Sequence, residues 1–174
     1  MKERVEQAIN DQIRKEAMSS QFYLSMASWA EGQGLTGTSG FFYKHSDEER
    51  FHMLKLIKFI NERGGTAIIS SLEQPPTDFD SLVSVFEQLL SHEIEVTESI
   101  NNLVDICLQE KDYTTQNFIQ WYVSEQLEEE ALARTILDKI RMIGTDKAGL
   151  YLFDRDLENS AIQIAPANTA TLGE

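Results

Sequence analysis

Apolar residues recur at spacings of three and four along four long segments, which places them on one face of an α-helix. A fifth, shorter segment has the same period. Glycines follow the first, second and fourth segments, where they favour helix ends. The pattern predicts an all-α protein. The predicted helices are Lys2–Glu31, Thr38–Arg63, Ser81–Glu110, Thr115–Ile143 and Lys147–Glu158.

The connections between these helices predict how they pack. Those after the first and third helices are short, so each of these helices should lie antiparallel to the next. The connection at residues 64–78 is longer, contains Pro75 and Pro76, and has no helical period. It can span roughly 50 Å, while a bundle helix is about 42 Å long. We therefore expect a four-helix bundle in which one long crossover makes the second and third helices parallel.

The C-terminal part predicts a short fifth helix and a tail. Leu150, Phe153 and Leu157 fall on one face of the fifth helix. In a lone bundle we expect no place to bury this face, and exposed apolar patches of this kind mark interfaces between subunits. Residues 1–158 are thus expected to form one domain, and residues 159–174, which are small and polar, a disordered tail.

Polar residues interrupt the apolar face in the middle of each of the four long helices. A carboxylate buried there without a partner costs several kcal/mol, so it needs a proton, an ion pair or a metal. Glu16 and Glu49 are 33 residues apart, as are Glu93 and Gln126, so the two helix pairs match as an internal duplication. The interrupting residues are Glu16, Glu49, His52, Glu93, Gln126 and Glu129.

These residue types predict a di-metal site inside the bundle. Glu-x-x-His on an inward helix face is typical of carboxylate-bridged di-metal bundles, and Glu49 and His52 have this spacing. Four carboxylates and one imidazole suit Fe, Mn or Zn, and ligand type alone does not choose among them. Two bridged metals suit two-electron chemistry with dioxygen, which selects iron if the site is redox-active.

Several neighbouring residues have two interpretations each. Four glutamates lie beside the inward helix faces, where they either form a solvated surface or pass ions onward: Glu48, Glu125, Glu128 and Glu130. Tyr23 lies two turns from Glu16, either as simple core or as a group that hydrogen-bonds a ligand or donates an electron.

Two histidines near the predicted site are expected to have other roles. His45 shares the face of His52, and we expect a packed, hydrogen-bonded histidine rather than a ligand. His92 points away from the face that carries Glu93, so a surface or outer position is expected.

Composition restricts the classes of partner. The formal net charge of −14 argues against nucleic acid and anionic membranes and favours cations. A single cysteine excludes a disulfide framework and a Cys-rich metal site. No apolar run is long enough to span a membrane, and charged residues near the N-terminus argue against a signal peptide. We therefore expect a cytoplasmic protein.

With these residues in place, the chain closely resembles the non-haem bacterial ferritins over about residues 2–158. The matching stretches are Glu16 with Ser19-Ser20, residues 45–53, residues 121–130 and residues 149–154.

The resemblance implies a ferritin-like bundle that assembles with 23 copies of itself into a 24-subunit cage. Such a cage oxidises Fe(II) with dioxygen or peroxide and stores a ferric mineral. It also implies that Glu16, Glu49 and His52 bind one iron, and that Glu93 and Glu129 bind a second, with Glu49 bridging and Gln126 adjacent. The matching positions for an adjacent third iron are Glu48, Glu125, Glu128 and Glu129.

One departure bears on the cofactor. Haem-bearing bacterioferritins have a methionine at the position of Arg50 and a second Glu-x-x-His, where this chain has Gln126 and Glu129, so no haem is expected. Two other functions stay open at this point: a di-iron peroxidase or oxidase without storage, and a structural or signalling helical bundle. The second leaves the four buried glutamates unexplained.

Overall fold

The computed structural model describes residues 1–163, with side chains described as far as residue 159, and has five α-helices and no strand in that range. The bounds of the first four helices lie within two residues of the predicted ones. The fifth continues to Gln163, beyond its predicted end at Glu158. The rest of the predicted tail lies outside the described residues. The helices are α1 (Glu3–Gly32), α2 (Thr36–Glu62), α3 (Leu82–Gln109), α4 (Tyr113–Ile143) and α5 (Lys147–Gln163).

The bundle has the predicted topology. Ser20 on α1 donates a hydrogen bond to the carbonyl of Ser46 in the middle of α2, at 2.7 Å, as expected for an antiparallel pair joined by a short turn. Arg63, just after α2, contacts both carboxylate oxygens of Asp112, just after α3, at 3.0 Å. The ends of α2 and α3 therefore lie together, and the two helices run parallel.

The long crossover follows α1 from one end of the bundle to the other. Near its start, the backbone N–H of Ile68 donates to Oδ1 of Asn10 at 2.7 Å. Near its end, the hydroxyl of Ser25 donates to the carbonyl of Pro76. These contacts confirm the predicted path of residues 64–78.

The apolar core has two clusters, and the polar interruptions lie between them. The cluster nearer the start of α1 contains Val5, Ile9, Leu56, Ile100 and Ile119, among others. The cluster nearer the start of α2 contains Tyr23, Phe42, Phe86, Ala133 and Ile140, among others. The polar layer is thus enclosed by apolar side chains on both sides along the bundle axis.

Helix α5 lies across one end of the bundle and contradicts one expectation. Phe153 is buried and packs edge-on against Phe86, with ring centroids 6.1 Å apart. Leu150 and Leu157 pack partly buried against the same cluster. The expectation that this face has no place in a lone chain is therefore wrong.

A close approach between α5 and the start of α2 explains this docking. The carboxylate of Asp154 accepts hydrogen bonds from the backbone N–H groups of Gly37, at 3.1 Å, and Thr38, at 2.8 Å. A Cβ atom at Gly37 would lie 1.8 Å from the carbonyl oxygen of Asp154, so only glycine allows this contact.

Among the helices within residues 1–163, none has both the length and the apolar character needed to span a membrane.

Candidate metal centre

Glu16, Glu49 and His52 come together in the buried polar layer. Glu16 lies on α1, while Glu49 and His52 are one turn apart on α2. Nδ1 of His52 is 3.7 Å from Oε2 of Glu16 and 3.6 Å from Oε2 of Glu49. One potential ligand atom from each residue falls within 4.8 Å of the others, an arrangement that could hold a metal ion.

Two oxygen atoms of this cluster have no hydrogen-bond partner. They are Oε2 of Glu16 and Oε2 of Glu49, and both are shielded from solvent. Buried polar atoms are nearly always satisfied, so two unsatisfied carboxylate oxygens beside one imidazole need an explanation. A cation bound between them would satisfy both, and hard oxygen donors with one imidazole suit Fe, Mn or Zn.

Electrostatic interactions within the cluster are strong. Burial by itself lowers the pKa of His52, but the adjacent Glu16 and Glu49 carboxylates outweigh it and raise that pKa to about 11. Burial, and then the charge of Glu16, raise the pKa of Glu49 well above its usual value. Burial also acts to raise the pKa of Glu16, but His52, Glu49 and Gln12 together outweigh it and lower that pKa. The metal-free cluster therefore retains protons that a metal ion would displace.

Glu93 lies in the same layer, with partners from two other helices. Nε2 of Gln126 donates to Oε2 of Glu93 at 3.1 Å, and the Tyr23 hydroxyl donates to Oε1. Burial raises the pKa of Glu93 to about 7, although the Tyr23 hydrogen bond opposes it; the charge of Glu129 adds to the increase. Tyr23 is thus both a core residue and a hydrogen-bond donor to a predicted ligand.

Glu129 lies beside His45, which was not predicted to be a metal ligand. Oε2 of Glu129 is 3.5 Å from Nε2 of His45. Burial acts to raise the pKa of Glu129, but His45, with the charges of His52 and Lys44, outweighs it and lowers that pKa. His45 is buried and its Nδ1 is 2.9 Å from the carbonyl of Phe41, which confirms a packed, hydrogen-bonded histidine. It also borders the centre, which the sequence analysis missed.

The flanking glutamates differ in their surroundings. Glu48 forms a second group of possible metal ligands with His45 and Glu129. Glu128 lines the same cavity of about 380 Å³ as these three residues. Glu125 is half-buried; burial raises its pKa, and the charge of Glu128 adds to that increase.

Residues outside the predicted set support the ligands. Nε2 of Gln12 donates to Oε1 of Glu16 at 2.7 Å. The Tyr122 hydroxyl donates to the carbonyl of His52 at 2.8 Å, and the Trp121 ring packs edge-on to His52 at 5.2 Å. Gln12 could have been found, because it lies one turn before Glu16. The contacts of Tyr122 and Trp121 depend on how α2 and α4 pack.

His92 occupies the expected outer position. Its Nε2 is 2.7 Å from the Ser19 hydroxyl oxygen, and its ring packs edge-on to Tyr23 at 5.6 Å.

Comparison with known proteins agrees with this geometry. A family model described as a ferritin-like domain matches residues 6–143, most of the chain. The chain belongs to the ferritin-like family. A bacterial non-heme ferritin of Campylobacter jejuni is 47% identical over 88% of this chain and 92% of its own length. A probable bacterial non-heme ferritin-like protein of Haemophilus influenzae is 45% identical over 91% of this chain and 96% of its own.

A solved ferritin structure extends the similarity to three dimensions. The open pore ferritin from the archaeon Archaeoglobus fulgidus superposes with a TM-score of 0.90 at 43% identity. The alignment covers 91% of this chain and 97% of that one. The ferritin-like bundle predicted from the sequence is therefore confirmed, long crossover included.

Proposed function

We propose that this ferritin-like protein is a ferroxidase that stores iron. It binds Fe(II) at the buried centre, oxidises it with dioxygen or peroxide, and holds the Fe(III) mineral inside a cage of 24 subunits. The observation that carries the proposal is the pair of unsatisfied, buried oxygens of Glu16 and Glu49 facing His52. The names of its relatives, bacterial non-heme ferritins, support the same function.

Each subunit would bind two ions of its substrate at the centre. Glu16, Glu49 and His52 hold the first ion. Glu93 and Glu129 hold the second, with Glu49 bridging the two and Gln126 adjacent. An adjacent third ion would use the flanking residues Glu48, Glu125 and Glu128 together with Glu129.

The residues of the protein bind and orient the two ions and exchange protons with them and with solvent. The two ferrous ions supply the electrons that reduce the oxidant. Binding displaces the protons held by the Glu49 and His52 pair, because ligands must be deprotonated to coordinate. Tyr23 holds the carboxylate of Glu93 in place. The apolar clusters on both sides limit access of water, and the flanking glutamates accept protons released when Fe(III) hydrolyses.

Assembly into a cage is supported by the surface of the chain. Within the described residues, large apolar side chains are strongly exposed, among them Met142 at 85% and Leu127 at 74%. Contacts between subunits would remove such apolar surface from water. The net charge of −14 attracts cations and disfavours nucleic acid and anionic membranes as partners. We propose a cytoplasmic location.

Iron loading of the purified protein tests both parts of the proposal. Wild-type protein should oxidise two Fe(II) per subunit rapidly and then retain many more as mineral in a particle that elutes as a large assembly. Glu49→Gln should lose the rapid phase. Glu62→Gln, an exposed position on the same helix, is the control and should behave as wild type. Rapid oxidation without retained iron would indicate a di-iron oxidase instead of a storage protein.

A further inference from the structure

Gln12 is a buried amide that belongs to neither apolar cluster. Its side chain is 1% exposed, and it lies one helical turn before Glu16 on α1. Burial of an amide without partners costs free energy, so such a residue is retained where its hydrogen bonds are made. Gln12 makes two. Its Nε2 donates to Oε1 of Glu16, and its Oε1 accepts from the Ser99 hydroxyl on α3, both at 2.7 Å.

These two hydrogen bonds leave the amide with one orientation. A carboxylate only accepts, so the amide nitrogen must face Glu16. The amide oxygen then faces Ser99, whose hydroxyl donates to it. A reversed amide would place two oxygens against each other at Glu16. The chain of bonds from Ser99 through Gln12 to Glu16 therefore runs from α3 to α1 with a defined direction.

Gln12 bonds one oxygen of Glu16 and leaves the other without a partner. It occupies Oε1, while Oε2 has no hydrogen-bond partner and lies 3.7 Å from Nδ1 of His52. Glu93 differs, because Tyr23 donates to one of its oxygens and Gln126 to the other. Among these two carboxylates, only Glu16 has one oxygen held and the other free.

We propose that Gln12, supported by Ser99, is a positioning residue that makes Glu16 a one-oxygen metal ligand through Oε2. This inference rests on the proposed metal centre. A carboxylate restricted to one oxygen occupies a single coordination position. It thereby leaves another position on the ion free for solvent or for the oxidant.

Cobalt binding to the metal-free protein tests the role of Gln12, because Co(II) reports its coordination number in visible absorption. Gln12→Leu should bind the first Co(II) about 10–100-fold more weakly, the usual effect of losing a partner of a metal ligand. Its Co(II) spectrum should also change as Glu16 becomes free to coordinate through both oxygens. Calorimetry measures the affinity and absorption measures the geometry.

Gln7→Leu is a matched control. Gln7 also donates to an acidic side chain one turn later on α1, Oδ1 of Asp11 at 2.9 Å, but it is exposed and remote from the centre. It should leave Co(II) affinity and spectrum unchanged. If Gln12 has a purely structural role, Gln12→Leu should lower the thermal stability but leave the spectrum of bound Co(II) as in wild type. That result would overturn the proposal.

Ser99 lies at the other end of this chain of hydrogen bonds and is half-buried, so it provides a second test. Ser99→Ala should weaken the first Co(II) in the same direction as Gln12→Leu, while Ser99→Thr, which keeps the hydroxyl, should restore it. If Gln12→Leu does not fold, these two variants decide the question.

Glu16→Gln separates failure of this inference from failure of the proposed function. If Glu16→Gln leaves Co(II) binding intact, the proposed centre is wrong. If it abolishes binding while Gln12→Leu and Ser99→Ala bind as wild type, only the positioning role is wrong.

Discussion

Nε2 of His45 on α2 faces Oε2 of Glu129 on α4 across 3.5 Å, within the buried layer that carries the centre. Nδ1 of the same ring lies against the carbonyl of Phe41, so its hydrogen is used there. Burial acts to lower the pKa of His45, but Glu129, with Glu48 and the Phe41 carbonyl, outweighs it and raises that pKa above 6.5. A proton on Nε2 therefore converts the contact into an ion pair.

The His45 and Glu129 pair should stabilise the metal-free protein in a pH-dependent way. Because the folded-state pKa of His45 is raised, its contribution is complete below about pH 6.5 and is lost as the pH rises through the folded-state value. His45→Leu should thus lower the free energy of unfolding by about 1–3 kcal/mol at pH 6 and by less at pH 9. Urea denaturation of His45→Leu, Glu129→Gln and the double variant measures the coupling. Equal losses at both pH values would contradict the prediction.

Glu93→Gln should stabilise the metal-free protein at pH 8. The pKa of Glu93 is raised to about 7, so at pH 8 the folded protein contains a buried charge whose removal should gain about 1 kcal/mol. The sign follows from the raised pKa: stability is lost as the pH rises from about 4.5 to about 7. At pH 5 the carboxyl is protonated and the gain should disappear. Glu98→Gln, exposed on the same helix, should show neither effect.

Metal binding should weaken in Glu93→Gln despite this gain in stability. A variant that is less stable than wild type at pH 8 would identify Glu93 as a satisfied structural group and count against the second metal position.

The two proposed iron positions should fill in order. The free oxygens of Glu16 and Glu49 already face His52, so the first ion breaks no hydrogen bond to them. At the second position, both oxygens of Glu93 already accept hydrogen bonds and Glu129 already faces His45, so the second ion must compete with existing contacts. His52→Ala should therefore lose tight binding of the first Fe(II), while Glu129→Ala should keep it but lose rapid oxidation. Calorimetry under argon, followed by mixing with oxygen, measures both. Equal loss of the first equivalent in both variants would refute the order.

The docking of α5 should depend on Gly37. Gly37→Ala places a Cβ atom 1.8 Å from the Asp154 carbonyl oxygen, so α5 must move away and Phe153 lose its burial. We expect a loss of several kcal/mol in the free energy of unfolding, within the range of large core disruptions. Gly40→Ala, on the same helix with open space around it, should be neutral or stabilise by up to about 1 kcal/mol. Thermal unfolding compares the two, and similar melting temperatures would contradict the prediction.

The periodic pattern was sufficient for the long helices and for the layer of polar residues. Glu16, Glu49 and His52 stood out because each replaces an apolar residue on a buried face, and that property is local. The crossover followed from chain length alone, because residues 64–78 are long enough to run beside α1.

Features that depend on contacts between helices were not predictable in the same way. His45 shares a face with His52, but its pairing with Glu129 is set by the register between α2 and α4. The burial of Phe153 depends on a missing Cβ at Gly37, more than a hundred residues earlier. The helix faces of His45 and Phe153 are visible in the sequence, but their partners on other helices are not.

Asp154 caps the N-terminus of α2 from a distant part of the chain, so this end of the helix cannot be completed until α5 has been synthesised. Leu35, at the N-terminal boundary of α2, makes no side-chain hydrogen bond to the helix. The Asp154 carboxylate, which accepts from the backbone N–H groups of Gly37 and Thr38, lies 117 and 116 residues later in the chain. During synthesis, the helix that holds Glu49 and His52 therefore lacks its N-terminal partner until α5 has left the ribosome. Contacts of such sequence separation are slow to form, so the N-terminal end of α2 is completed only after α5 has docked against it.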